Sequence, residues 1–253
     1  MATRKPRAPG GRTEQEFLAS YDPSQFERPS VSVDVALLTV RGGALHTLLL
    51  RRAEHPSRGK WSLPGGFVRM DESLDRAAVR VLADKTGTGQ VFLEQLYTFG
   101  DPRRDPRTRV ISVAYVALVD DARFAAAHAR SELSVARLSV PWEGETGGPV
   151  EVRDDGGAPL ALAFDHADIL GMAVKRVRGK LDYSPIGFQL LPETFTLLEL
   201  LRVHETVLGR PLNKDSFRRR MLATGQLEAT GAAQTEVDHR PAELYRFSRR
   251  SAV

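Results

Sequence analysis

The sequence predicts an α/β domain followed by a winged helix-turn-helix. Three observations carry that expectation: β-branched and apolar runs suited to a buried sheet, helix-spaced apolar residues between them, and a C-terminal helix–turn–helix with a basic second helix. Taking the elements in order, Val31–Val40 and Leu45–Arg52 are strand-like runs separated by Arg41-Gly42-Gly43, which reads as a hairpin or a close pair of strands. Trp61-Ser-Leu-Pro-Gly-Gly66 supplies breakers, after which Leu74, Ala77, Ala78, Val81 and Leu82 share one helical face up to Gly87. Val91–Phe99 and Val110–Val119 are further strands, and the second is apolar enough for a sheet covered on both faces. From Ser134 to Ala163, strand-like runs are interrupted at 144–148 and 154–157. A helix then carries Leu170, Val174, Val177 and Leu181, with Asp165 as its expected N-cap.

Tyr183–Pro192 contains two prolines and is the expected domain boundary. Beyond it, Thr194–Leu208 reads as a helix and Gly209–Leu212 as a turn. A second helix is capped by Asn213, turns Phe217 and Met221 inward and ends before Gly225. Leu227–Thr230 and Leu244–Phe247 bracket a polar stretch, as the strands of a wing do. The expected division is 1–25 as a basic arm, 26–181 as a ligand-binding domain and 182–253 as a DNA-binding domain.

The chain has 253 residues, 42% hydrophobic and 27% charged, with a formal charge of +4, an ordinary globular composition. No apolar run approaches the ~18 to 20 residues of a membrane-spanning helix, so no membrane association is expected. The first twelve residues are basic and lack an apolar segment, which argues against a secretory signal. Cysteine is absent, which excludes disulfides and thiolate metal sites and makes the cytoplasm the expected compartment.

Gly66, Glu72, Arg80, Leu82 and Gly87 stand in the register of the Nudix box, and the first domain resembles that family over roughly residues 26–181. The resemblance implies an α/β/α sandwich with a mixed sheet. The segments Arg28–Asp34, Trp61–Gly66 and Tyr97–Arg107 are most similar to the ADP-ribose pyrophosphatase branch. The box departs from the pattern where the chemistry lies: Val81 replaces a Glu, Asp84-Lys85 replaces a Glu-Glu pair and Thr88 replaces an aliphatic residue. Hard divalent cations require several carboxylate oxygens. An ammonium ~4 Å from such an ion, at an effective dielectric of ~20, would repel it by about 8 kcal/mol. The expectation is therefore a sensor with no catalytic or metal-ligating residue and no required cofactor.

A diphosphate needs cationic forks and free backbone amides. Arg51, Arg52, Arg103 and Arg107 are the candidate forks, Gly65 and Gly66 permit close backbone approach, and Phe67, Tyr97 and Phe99 are candidates to stack a base. Glu72, the remaining box acid, is included in the candidate set, with a structural hydrogen bond as its expected role. For DNA, Lys214, Ser216, Arg218, Arg219 and Arg220 line the outer face of the second helix. Arg240 and Arg246 lie on the wing, and Arg4, Lys5, Arg7 and Arg12 lie in the arm.

Leu190–Leu200, Asn213–Arg220 and His239–Phe247 resemble the winged-helix region of the Nudix-related transcriptional regulators, NrtR. That resemblance implies a homodimeric repressor of NAD-metabolism genes that binds double-stranded operator DNA and takes ADP-ribose or a related nucleotide as effector. The alternative is an active Nudix ADP-ribose pyrophosphatase with an accessory winged-helix domain, and a weaker third reading is a nucleotide-binding scaffold.

Overall fold

Two glycines with positive φ, Gly42 and Gly43, reverse the chain between strands β1 (Ser30–Arg41) and β2 (Ala44–Arg51), because a tight turn needs a backbone conformation that side chains disfavour. The computed structural model of the chain describes residues 13–89, 91–129, 133–235 and 241–248. The short strands β3 (Trp61–Ser62) and β4 (Gly65–Phe67) follow, then helix α2 (Leu74–Thr86), strands β5 (Phe92–Phe99) and β6 (Val110–Leu118), and helix α3 (Asp121–His128). Strands β7 (Leu133–Ser139) and β8 (Glu151–Arg153) complete the sheet, and helix α4 (His166–Lys180) closes the first half of the chain.

The sheet runs β5-β6-β1-β2-β7-β8, with β3 on β2 and β4 on β1. It is mixed, since β1 and β6 are parallel from Ser30↔Val110 to Leu38↔Leu118 whereas the other pairs are antiparallel. Side chains alternate across it. Val33, Val35 and Leu37 pack with Val113, Tyr115 and Ala117 under α2 and α3, through Ala77, Val81, Leu82 and Phe124. Ala36, Leu38, Ala114 and Val116 face the other way, onto Ile169, Leu170, Ala173, Val174 and Val177 of α4. Each such aliphatic side chain contributes about 1.5–3 kcal/mol when fully buried. The expected sandwich with a doubly covered sheet is what the chain adopts.

The second face does not end at α4. Its apolar cluster continues into α5 (Leu197–Leu208), α6 (Lys214–Ala223) and the strands β9 (Thr194–Phe195), β10 (Leu227–Ala233) and β11 (Glu243–Phe247). These three strands form a separate sheet, ordered β10-β11-β9. Arg178 stitches the two halves. Its buried guanidinium donates to the carbonyls of Val207 (2.7 Å), Trp142 (3.2 Å) and Gly144 (3.0 Å) and lies over the Trp142 ring. The adjoining loop lies directly on α4: a Cβ at Gly171 would meet the Gly148 carbonyl oxygen at 1.8 Å.

Two sequence expectations change, the start of α5 and the cap of α4, and other segments gain detail. At the expected boundary Tyr183–Pro192, a 3₁₀ turn, Pro185–Leu190, buries Ile186, Phe188 and Leu190 in the shared core. Pro185 starts that turn, and the apolar residues between the two prolines hold the chain inside. Thr194 and Phe195 are strand, and α5 starts at Leu197 behind a capping box of Thr196 and Glu199. The C-terminal half of the segment expected as a basic arm holds helix α1 (Glu14–Ser20), capped by Thr13 and exposed throughout; residues 1–12 lie outside the described residues. Helix α3, capped by Asp120, had no expectation. Asp165 stands at the N-cap position of α4 without capping it, because its carboxylate is taken by Arg104.

His204 of α5 is buried between the two helices of the second half, edge-on to Phe217, and its Nδ1 has no hydrogen-bond partner. Burial first, then the Arg220 charge, lowers its pKa from 6.5 to about 4. The folded state therefore binds the proton more weakly than the unfolded state does. Stability is full above about pH 6.5 and falls as pH drops towards 4, by about 2 kcal/mol at pH 5 for this group. Urea unfolding at pH 7 and pH 5 should show His204→Leu losing about 2 kcal/mol less than the parent over that interval.

Candidate functional site

A cavity of about 440 Å³ opens beside the carboxyl end of β2, between the β3–β4 loop, the C-terminal turn of α2 and the segment joining β5 to β6. Its floor is a buried ionic network that begins with Asp34, a lone carboxylate in the apolar strand β1. Ser112, on the parallel strand β6 two residues before Ala114, the register partner of Asp34, donates its hydroxyl to Asp34 Oδ2, and Arg104 Nη2 lies 3.5 Å from the same oxygen. Arg104 also forks onto Asp165 at 2.9 and 2.6 Å. His166 Nδ1 accepts the Leu63 amide at 2.9 Å, so a neutral ring carries its proton on Nε2, which faces Asp34 Oδ1 at 3.7 Å. Burial lowers the His166 pKa and favours that neutral form. Gly65 is required by this floor, since a Cβ there would lie 2.2 Å from Asp34 Oδ1.

The rim is cationic and aromatic. Arg52 donates to the Pro56 carbonyl at 2.8 Å and sits over the Phe164 ring at 4.8 Å. Arg107 forks onto Asp105 and lies 5.8 Å from the Phe67 ring centroid. Burial, followed by repulsion from Arg107, lowers the Arg52 pKa, so the two guanidinium groups share one field. Arg51 and Lys85 complete the lining, giving five cations against the three carboxylates of Asp34, Glu54 and Asp105. Such a cavity has an electrostatic surplus for an anion and two aromatic faces for a planar ring.

The structure brings Arg51, Arg52, Gly65, Gly66, Phe67 and Arg107 of the candidate set to this cavity, and leaves Glu72 and Arg103 outside it. The Arg103 side chain is 92% exposed beside Asp101, whereas its neighbour Arg104 is the buried one. Glu72 accepts the Arg69 amide at 2.8 Å and Arg80 Nε at 2.9 Å, and Arg80 in turn holds the Phe67 carbonyl at 3.1 Å. The Arg80 hydrogen bond, then the Arg69 amide, takes the Glu72 pKa down to about 2. This clamp fixes the loop after β4 to α2. Tyr97 and Phe99 contact each other edge-to-face, away from the cavity lining.

Across the molecule, Asn213 caps α6 by accepting the Ser216 amide at 2.9 Å, and Phe217 and Met221 anchor its inner face. Lys214, Ser216, Arg218, Arg219 and Arg220 are all exposed. Arg220 pairs with Asp182 at 3.2 Å, and Arg246 pairs with Glu228 at 2.9 Å across β10 and β11. Arg240, Arg4, Lys5, Arg7 and Arg12 lie outside the described residues.

The NUDIX domain family profile matches residues 28–145, and that of the NrtR DNA-binding winged helix domain matches residues 187–247. The chain is 37% identical over 238 residues to the ADPR responsive transcriptional repressor NtrR of Acinetobacter baylyi, covering 93% of this chain and 89% of that one. The chain belongs to the NrtR family. A crystal structure of Shewanella oneidensis NrtR complexed with a 27mer DNA superposes with a TM-score of 0.71 at 34% identity, covering 86% of this chain and 93% of that one. A MutT/nudix family protein from Enterococcus faecalis gives a TM-score of 0.71 at 28% identity, over 94% of each chain.

A Nudix fold implies a divalent cation, and the donor set of this NrtR-family member does not fit one. Val81 is packed in the core beneath Gly66, Lys85 is cationic, Glu72 is clamped by Arg80, and the Asp84 side chain is 60% exposed on the outer surface. No group of three or more His, Asp or Glu among the described residues is placed to hold a metal ion.

The residues missed in sequence are Asp34, Arg104, Phe164 and His166. Asp34 carried the one usable signal, a charge inside a β-branched run. Because Arg104 satisfies two buried carboxylates, Arg104→Ala should lower the unfolding free energy by about 3 kcal/mol in urea titrations, whereas Arg103→Ala should change it by less than about 0.5 kcal/mol.

Proposed function

We propose that the chain is a homodimeric, DNA-binding transcriptional repressor that senses ADP-ribose, or a related nucleotide diphosphate, without appreciable hydrolysis. The observation that carries the sensing half is the charge of the cavity: five cations face three carboxylates where a hydrolase of this fold needs clustered acids. Arg51, Arg52 and Arg107 bind the diphosphate, Phe67 and Phe164 offer faces to the base, and the backbone at Gly65 and Gly66 lies against the ligand. The ADPR responsiveness named for the Acinetobacter relative supports the choice of ligand.

Lys214, Ser216, Arg218 and Arg219 contact the duplex from α6, with Arg220, Arg240 and Arg246 on phosphates at its edge. The DNA held by the Shewanella protein supports this half of the reading. Regulated promoters lie near genes of NAD metabolism, in a cytoplasmic setting, and residues 26–181 and 182–253 act as the sensing and DNA-binding units. A dimer presents two α6 helices at half-site spacing, and ligand favours a geometry that breaks that spacing. The route is short: α4 begins at the cavity with His166 and reaches the Arg178 clamp onto α5 about 18 Å on.

Fluorescence anisotropy on promoter DNA, with and without ADP-ribose, tests the reading together with product analysis in magnesium. Ligand-dependent release without turnover is expected; brisk turnover without specific DNA binding would establish the pyrophosphatase alternative instead. Arg218→Ala with Arg219→Ala should weaken operator binding about a hundredfold and leave ADP-ribose affinity unchanged. Loss of both in a folded protein would contradict two separate sites.

A further inference from the structure

Of the altered positions of the Nudix box, Val81, Asp84, Lys85 and Thr88, Lys85 is the one that lines the cavity. The helix places it there. Val81, one turn earlier on α2, packs under the β4 backbone, with its Cγ2 3.2 Å from where a Gly66 Cβ would stand. Lys85 follows on the same face and projects past Gly65 and Gly66 into the space lined by Arg51, Arg52 and Arg107.

Its charge is not spent on the protein. Asp34 is held by Arg104 and Ser112, Asp105 by Arg107, and Glu72 by Arg80. Asp84 lies 3.9 Å from Arg80. Lys85 itself has no hydrogen bond or ion pair among the described residues. A nucleoside diphosphate ester carries two negative charges, and the five lining cations outnumber the carboxylates even when Asp165, which Arg104 also holds, is added to the three in the lining.

A carboxylate at this position would add negative charge and demand a metal ion to bridge protein and phosphate. An ammonium removes the demand and supplies the bridge.

We propose that Lys85 takes over the electrostatic role of the lost metal cluster, donating directly to the ligand diphosphate and making nucleotide recognition independent of divalent cations. The inference rests on the ADP-ribose reading of this same cavity and adds to it a residue and a metal dependence. Lysine suits the role because its three donors on a flexible stem adapt to a phosphate as a point charge.

Isothermal titration calorimetry with the full chain tests it, using ADP-ribose in excess EDTA and again in magnesium. The parent should give the same Kd in both buffers within about twofold. Lys85→Gln should weaken ADP-ribose about tenfold in both and leave the affinity for adenosine, which has no phosphate, unchanged; a tenfold loss corresponds to about 1.4 kcal/mol. Lys85→Glu should bind worst in EDTA and recover part of the loss in magnesium. Thermal unfolding of each variant at the parent temperature verifies the fold.

An unaltered ADP-ribose Kd for Lys85→Gln, an equal loss for adenosine, or a parent affinity that rises tenfold with magnesium overturns the inference while leaving the cavity as the ADP-ribose site. Failure of the parent to bind ADP-ribose in either buffer overturns the underlying reading as well.

Discussion

The architecture depends on how α4 is held. The helix is buried along Ile169, Leu170, Ala173, Val174 and Val177, with the sheet on one side and the second half of the chain on the other. An arginine secures each end: Arg104 forks onto Asp165 at the start, and Arg178 gathers three backbone carbonyls near the finish. Burying a guanidinium is costly, and it is tolerated only where nearly every donor is satisfied. Arg104 is compensated by charge, Arg178 by carbonyl dipoles and the Trp142 face.

Placing these two groups at opposite ends of one rigid element joins chemistry at the cavity to the position of α5. Rigid packed elements move as bodies more readily than they deform. Arg104, Asp165 and His166 at the start of α4 and the Val207 carbonyl of α5 at its far end are thus held on one packed helix. Helix α6 joins the same assembly, because Phe217 packs against His204 of α5.

Local periodicity made most of this fold legible. The hairpin at Gly42-Gly43, the α2 face ending at Gly87 and the Asn213 cap of α6 are each set by neighbours in sequence. What escaped depends on partners distant in the chain. Asp165 had the residue type and place of an N-cap, yet Arg104, from the loop after β5, outcompetes the helix amides for its carboxylate. Arg103 and Arg104 are indistinguishable as letters, and only the path of that loop decides which one is buried. Phe164 and His166 enter the cavity from just before α4, far along the chain from the Nudix box, so no motif spacing pointed to them. The junction at 183–192 carries two prolines, yet Ile186, Phe188 and Leu190 between them belong to the core.

The contact at Gly171 bears on how such a protein can change over evolutionary time. With the Gly148 carbonyl where a methyl group would otherwise stand, the loop and the helix are fitted backbone to backbone, and Arg178 then ties that fitted pair to α5. Two-part proteins are often assembled by shuffling interchangeable cassettes. Here a crossover at the proline-rich junction would separate surfaces shaped for one another, so lineages of this architecture should inherit both halves together and diversify by point substitution.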